Sequence, residues 1–283
     1  MNIPIIQNKL LSYESKTIDD QQNALKEIAQ EIALMSLSRA NFFKIATFQG
    51  GTCLRILYGL ERFSEDLDFI LDYPDINFAW DSFIINMQED FKTYGFSLEL
   101  QKNNNEKTAV KKTLLKAHST GGVLIIKDLR TNIPKLKIKL EIDTNPPEGS
   151  QFDIKYCDFP LPFSIKTQNL PSLFTGKCHA LLCRGHLKGR DWYDFSWYIA
   201  RKTPINFPFL TNAINQTVSW EKQNIKLTKE WLIKQLKKII HEINWNTAKQ
   251  DVSRFLRAHE QPTLSLWSEE FFLSRLDKLS AYL

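Results

Sequence analysis

The sequence has few cysteines and lacks long apolar runs. Its 283 residues include four cysteines, none in a C-x-x-C spacing, and five histidines that do not cluster with them. We therefore expect reduced thiols and no zinc site. No stretch approaches the roughly 18 uncharged apolar residues of a membrane span, and the first residues lack the basic-then-apolar order of a signal peptide. These absences predict a soluble, cytoplasmic protein without membrane contact.

Positive charge is unevenly distributed along the chain. Residues 1–160 carry 19 Lys and Arg against 22 Asp and Glu, whereas residues 161–283 carry 18 against 10. The basic C-terminal part favours an anionic partner such as RNA, although an excess of this size is also common on a soluble surface.

The first half of the chain alternates helical and strand patterns. Apolar residues at helical spacing predict a helix over residues 20–44, and a short apolar run predicts a strand over 44–48. Residues 121–129 and 135–145 have the pattern of two antiparallel strands joined across 130–134. The pattern predicts a mixed sheet with flanking helices.

Two proline-containing segments, NPPEGS at 145–150 and FPLPF at 159–163, interrupt this pattern, and helical patterns follow. We predict an α+β protein, with a mixed-sheet domain over residues 1–160 and a basic helical domain over residues 161–283. The bulky core candidates of the helical part are tryptophans: Trp192, Trp197, Trp220, Trp231, Trp245 and Trp267.

The segment FQGGTCLRILYGL places two adjacent glycines, Gly50 and Gly51, between a strand and a short helix that Gly59 closes. Such a turn lets the backbone approach a phosphate closely, because the first N–H groups of the helix point at it. Thr52 is placed to add a hydroxyl donor. Taken alone, the pattern also fits an ordinary turn.

Asp66 and Asp68 follow in the strand-like run DLDFIL. Residues two apart on a strand point to the same side, so both carboxylates face one point while Leu67 and Phe69 face a core. Paired carboxylates are suitable ligands for Mg²⁺. The alternative is an edge strand with a solvated acidic face.

Together these features resemble the nucleotidyltransferase superfamily related to DNA polymerase beta: a glycine-pair turn, then thirteen residues between Thr52 and Asp66. The resemblance implies a two-metal site completed by a third carboxylate from a neighbouring strand. In KLKIKLEID, Glu141 is the candidate and Asp143 the reserve. The lysines of this strand also fit an ordinary charged face.

A third segment, GKCHALLCRGHLKGRDWYDFSWYI, has its own physical logic. Lys177 and Arg184 lie two helical turns apart and share a face, and Asp191 and Asp194 are close enough to meet one neighbour. Lys177 could bind a triphosphate or neutralise developing charge. Asp194 or Asp191 could hold this lysine, orient an acceptor hydroxyl or act as its base. The alternative is a salt-bridged helix corner.

The three stretches, in this order over about residues 48–200, resemble the AbiEii/AbiGii family of nucleotidyltransferase-like toxins. The resemblance implies a toxin of a type IV toxin–antitoxin or abortive-infection system, using NTP and two Mg²⁺ ions, with Asp194 ranked above Asp191. It also implies a cognate antitoxin and transfer of a nucleotide to the 3′ end of tRNA. The alternatives are nucleotidylation of a protein, or a catalytically degenerate member that acts through an interaction.

Three further residues remain from the central segment. Arg55 follows the glycines by about one turn and could reach a bound phosphate. Arg62 could do the same or pair with Asp66. Ser64 lies beside the predicted metal ligands. In some relatives of the family an antitoxin kinase phosphorylates a serine in this loop, so the resemblance makes Ser64 a candidate phosphorylation site.

Overall fold

The computed structural model describes residues 3–13, 15–102, 119–128, 135–217, 225 and 227–283. The α-helices of this part are α1 (Ile3–Leu11), α2 (Ile18–Arg39), α3 (Gly50–Tyr58), α4 (Asp81–Thr93), α5 (Leu170–Cys183), α6 (Gly189–Ala200), α7 (Phe207–Asn215), α8 (Lys229–Glu242), α9 (Trp245–Ser253) and α10 (Glu269–Tyr282). None of the described helices is long and apolar enough to cross a membrane.

The strands form one sheet of mixed direction. They are β1 (Ala46–Gln49), β2 (Asp66–Leu71), β3 (Phe96–Lys102), β4 (Ser119–Asp128), β5 (Leu136–Asp143), β6 (Phe152–Cys157) and β7 (Phe163–Gln168). Their order is β3-β4-β5-β2-β1-β7-β6. The pairs β2–β5 and β1–β7 are parallel, and the other neighbours are antiparallel. The predicted mixed sheet with flanking helices is confirmed.

Alternation along β2 and β5 determines which side chains face the core. On β5, Ile138, Leu140 and Ile142 are buried, while the charged residues between them are partly exposed. On β2, Leu67 and Phe69 are likewise buried. The charged residues of both central strands therefore lie on the opposite face of the sheet. The predicted antiparallel pairing of β4 with β5 is confirmed, but residues 130–134 lie outside the described part.

Strands β6 and β7 were not among the sequence predictions. The segment FPLPF does interrupt regular structure, but as the turn between these two antiparallel strands. Strand β7 joins the sheet beside β1, from which it is more than a hundred residues distant in sequence. The sheet therefore continues to Gln168, and α5 begins at Leu170. The division into domains at residue 160 stays a prediction.

The helix predicted over residues 20–44 is shorter at its C-terminal end than expected. Thr17 caps α2 through a reciprocal pair of bonds with Asp20, and the helix ends at Arg39. Asn41 then adopts a left-handed conformation (φ 59°), and one 3₁₀ turn spans Phe42–Lys44. A left-handed residue cannot continue a right-handed helix, so the chain turns here into β1.

Aromatic side chains fill the core of the helical part. Trp192 is buried and packs edge-on against Trp245 and Phe272. Trp267 and Trp197 are also buried, and Trp231 is partly buried against the same core. These predictions are confirmed, whereas Trp220 lies outside the described residues.

Helix α6 packs unusually close to α9 at its first residue. A Cβ on Gly189 would lie 1.9 Å from the carbonyl oxygen of Ala248. Gly189→Ala must therefore push α6 away from α9, and we expect it to lower the free energy of unfolding by about 3 kcal/mol. Chemical denaturation measures this change.

Gly176→Ala is the matched control, because Gly176 lies within α5 and a Cβ there would meet nothing within 4 Å. Higher helix propensity should make this variant about 0.5–1 kcal/mol more stable than the native chain. Equal stability of the two variants would contradict the close approach of α6 to α9.

Candidate functional site

The glycine pair occupies a position where a side chain would collide with the acidic strand. Gly50 has a positive φ of 82°, and a Cβ on it would lie 2.6 Å from Asp68 Oδ2. A Cβ on Gly51 would lie 2.7 Å from Arg62 Nη2 and 2.9 Å from Ser64 Oγ. The N-terminus of α3 is therefore pressed against β2 and the loop before it, with its first N–H groups at this junction.

Thr52 and Arg55 make framework contacts behind this junction. The buried Thr52 hydroxyl donates to the carbonyl of Asp66, which ties α3 to β2. The Arg55 guanidinium donates to Glu27 Oε2 at 2.7 Å and to the carbonyl of Glu61 at 2.7 Å. Their predicted phosphate-binding roles stay predictions, and the structure directs both side chains to protein partners.

Four carboxylates lie on neighbouring positions of β2 and β5. Asp68 is the register partner of Glu141, and Ile70 that of Asp143, in the parallel pairing of the two strands. Burial raises the pKa of the Asp66 carboxyl, and the positive charge of Lys139 opposes this shift. Asp143 accepts a hydrogen bond from the backbone N–H of Asn145 at 2.9 Å.

The metal-binding roles predicted for these carboxylates stay predictions. Within the described residues, no group of three or more His, Cys, Asp and Glu side chains has metal-binding geometry as it stands. Glu141 Oε2 instead lies 2.6 Å from Lys139 Nζ. The choice of Glu141 as the third metal ligand, with Asp143 as the reserve, therefore stays a prediction.

Helices α5 and α6 bring a cluster of paired charges to the same region. Lys177 Nζ lies 2.7 Å from Asp191 Oδ1 and 2.8 Å from Asp194 Oδ2. Arg184 Nη1 lies 2.5 Å from Asp191 Oδ2. The predicted common face of Lys177 and Arg184 and the common neighbour of the two aspartates are both confirmed. Burial favours neutral Asp191, but Lys177 and Arg184 lower its pKa below the ordinary value.

Arg62 joins this cluster from the other side. The sequence allowed it to pair with Asp66, but its Nε and Nη2 donate to the two oxygens of Asp194 at 2.6 and 2.7 Å. Only 2% of the Arg62 side chain and 0% of the Asp194 side chain are exposed. Burial disfavours the charged guanidinium, but the charge and hydrogen bonds of Asp194, together with the charge of Asp191, outweigh burial and raise the pKa of Arg62. Asp194 thus holds Lys177 and Arg62 together.

These groups surround a cleft of about 470 Å³. The predicted site residues along its wall are Gly50, Gly51, Ser64, Asp66, Asp68, Glu141, Asp143, Lys177 and Asp191. Thr52, Arg55 and Asp194 are not on the wall that the described residues form. Asp194 lies behind Lys177 and acts on the cleft through it.

Other residues of the wall were not predicted as site residues. Lys188 lies in the cleft, and burial together with neighbouring Arg184 lowers the pKa of its ammonium. His179 and Gln168 also line the cleft. The basic character of residues 161–283 is the sequence signal that leads towards Lys188, whereas no motif spacing distinguishes His179 or Gln168 from core residues.

Comparisons with known proteins identify the family and the fold of this chain. Residues 32–275 match the family model described as nucleotidyl transferase AbiEii toxin, type IV TA system. Among solved structures, a candidate nucleotidyltransferase from H. pylori is similar with a TM-score of 0.52 and 16% identity, over 92% of this chain and 94% of that one. JHP933 from Helicobacter pylori aligns with a TM-score of 0.47 and 15% identity over the same shares, 92% and 94%. No curated protein matches significantly.

Proposed function

The chain belongs to the AbiEii family of nucleotidyl transferase toxins of type IV toxin–antitoxin systems, and on this premise we propose that it transfers a nucleotide from NTP to an RNA. The proposed acceptor is the 3′ end of tRNA, and the reaction requires Mg²⁺ and releases pyrophosphate. The same proposal places the reaction in the cytoplasm, where NTP and tRNA are available.

One observation carries this proposal. The first turn of α3, at Gly50 and Gly51, lies against the Asp68 carboxylate and the loop before β2, and Asp66 lines the same cleft. A helix N-terminus binds phosphate through free N–H groups, and carboxylates bind the metal ions that accompany a triphosphate. Both halves of an NTP–metal site are therefore within reach of one bound nucleotide.

The donor set fits divalent ions. Asp66, Asp68 and Glu141 offer hard oxygen ligands from adjacent strands that run in parallel register, and Mg²⁺ prefers such oxygens. The absence of a side chain at Gly50 leaves the space beside Asp68 Oδ2 open. When bound, the ions supply Lewis-acid stabilisation of phosphate charge and favour deprotonation of the acceptor hydroxyl.

The residues of the chain then have distinct tasks. The N–H groups at Gly50 and Gly51 bind phosphate oxygens, and Lys177, which lines the same cleft, supplies positive charge. Asp191 and Asp194 hold this lysine in place at 2.7 and 2.8 Å. The acceptor hydroxyl gives up its proton to water, and its oxygen attacks the α-phosphorus to form a new P–O bond. The bond between the α-phosphorus and the bridging oxygen breaks, and pyrophosphate leaves with that oxygen.

Positive charge at the end of α5 and the start of α6 favours an RNA acceptor. Arg184, Lys188 and Arg190 line the cleft beside Lys177, and cations of this kind attract a phosphate backbone. Incubation with each α-labelled NTP, Mg²⁺ and total tRNA should label the RNA. Labelled protein would instead support nucleotidylation of a protein, and no label in either would support an interaction protein without catalysis.

A cognate antitoxin is part of the proposal, with Ser64 as its target. The Ser64 hydroxyl adjoins Gly51, and the residue lines the cleft near Asp66. A phosphate on Ser64 would repel the triphosphate and compete for the metal ions. Mass spectrometry of protein co-expressed with the genomically adjacent gene should find phosphorylated Ser64. An unmodified Ser64 in cells that are protected from the toxin would contradict this mode.

A further inference from the structure

Lys139 lies among the carboxylates of the proposed metal site. In the parallel pairing of β2 with β5, Lys139 is the register partner of Asp66, and Glu141 is that of Asp68. Residues two apart on a strand point to one side, so Lys139 and Glu141 share the face of β5. Lys139 Nζ is 2.6 Å from Glu141 Oε2. An ammonium group is therefore built into the acidic cluster beside the predicted third metal ligand.

The charge of Lys139 acts on more than Glu141. Lys139 faces Asp66 across the two strands as well as Glu141 along its own strand, so its charge lies beside carboxylates of both strands. The Lys139 ammonium therefore partly neutralises both strands of the cluster, as a divalent ion there would. Two cations cannot occupy neighbouring positions without repelling each other.

The Lys139 side chain is able to leave this position. Its side chain is 33% exposed, and that of Glu141 is 21% exposed. A lysine ammonium stands on a flexible four-carbon stem and is readily solvated. Rotation of the stem would return the ammonium to water and release the Glu141 carboxylate without disturbing the strand.

We infer that Lys139 competes with the second divalent ion for Glu141, so that two ions bind the cleft with unequal affinities. This inference rests on the proposed nucleotidyl transfer site. The first ion binds at Asp66 and Asp68, and the second binds only when Lys139 has moved away from Glu141. Because a triphosphate adds negative charge at the same place, the second ion binds most readily together with NTP. When NTP is absent, Lys139 therefore lowers the fraction of the protein that holds both ions.

Titration of the full-length protein with Mn²⁺, followed by electron paramagnetic resonance of the free ion, tests the inference without turnover. The titration is repeated with an NTP analogue that carries a methylene bridge between its α- and β-phosphates. The native protein should show one stronger and one weaker site. Lys139→Met should tighten the weaker site by about tenfold or more and the stronger site by a clearly smaller factor, because the Lys139 ammonium is paired directly with Glu141.

Lys137→Met is the matched control. Lys137 lies two residues earlier on the same face of β5 and is exposed, so its removal changes the net charge equally but at a greater distance from Glu141. Both Mn²⁺ sites should stay within about threefold of their native affinities. Lys139→Arg, which keeps the positive charge, should preserve the unequal affinities.

The outcomes separate this inference from the proposed function. Mn²⁺ binding that is lost in Asp68→Asn but is unaffected by Lys139→Met would overturn the role of Lys139 and leave the transfer site standing. Equal tightening of both sites in Lys139→Met would also overturn it, because the effect would then be one of net charge. Absence of any Mn²⁺ binding that depends on Asp68 would overturn both the inference and the proposed metal site.

Discussion

Asp68→Asn should lower the rate of nucleotide transfer by about a thousandfold or more. Asp68 is the proposed metal ligand nearest to the glycine turn, since its Oδ2 would lie 2.6 Å from a Cβ on Gly50. Asparagine keeps the shape of the side chain but removes the negative charge that binds a divalent ion. The measurement is the initial rate of label transfer from NTP, at saturating Mg²⁺.

Asp75→Asn is the control for this substitution. Asp75 is exposed and accepts a hydrogen bond from the backbone N–H of Asn77 at 2.9 Å, which asparagine can also accept. Asp75 does not line the cleft that the described residues form. The rate of nucleotide transfer by Asp75→Asn should therefore stay within about twofold of the native rate. Undiminished transfer by Asp68→Asn, in a protein with native thermal stability, would contradict the assignment of the site to this cleft.

Arg62→Met should lower the free energy of unfolding by about 3–5 kcal/mol. The change removes both bonds from Arg62 to Asp194 and leaves a buried carboxylate with Lys177 as its remaining ion-pair partner in the described part of the chain. Such a loss is costly because a buried charge keeps its desolvation penalty when a partner is removed. Urea denaturation followed by tryptophan fluorescence measures the change.

Arg39→Met tests whether burial is the cause. Arg39 also pairs with an aspartate, Asp90, at 2.6 Å, but 62% of the Arg39 side chain is exposed. An exposed pair contributes only about 0–1 kcal/mol, so this variant should unfold almost as the native protein does. If Arg62→Met and Arg39→Met lose equal stability, burial does not make the Arg62–Asp194 pair more stabilising than an exposed pair.

Arg62→Lys gives a second comparison. Lysine keeps the charge but lacks the planar fork that donates to both oxygens of Asp194. We expect it to recover only part of the lost stability, because one ammonium group cannot replace two parallel hydrogen bonds.

The local parts of the site could be predicted from the sequence. Asp66 and Asp68 lie on one face of β2 because side chains alternate on any strand. Lys177 and Arg184, the C-cap residue of α5, lie on the same side of this helix for an equally local reason. The left-handed closure of α3 at Gly59, with φ 73°, also follows from the preference of glycine for this conformation.

Contacts between distant segments could not be predicted in this way. Arg62 and Asp194 are 132 residues apart, and nothing in the local pattern favours Asp194 over the nearby Asp66 as the partner of Arg62. Strand β7 was overlooked because its parallel partner, β1, lies far away in sequence, while the prolines before it are typical of a boundary. Tertiary packing determines both the partner of Arg62 and the place of β7 in the sheet.

The bond at which the triphosphate is cleaved is the most direct test of nucleotidyl transfer in this cleft. The protein is incubated with tRNA and Mg²⁺, once with NTP labelled at the α-phosphate and once with NTP labelled at the γ-phosphate. We expect the label of the α-phosphate to enter the RNA and the label of the γ-phosphate to appear in pyrophosphate. Label from the γ-phosphate in the RNA, or no label from either position in any acceptor, would contradict the account.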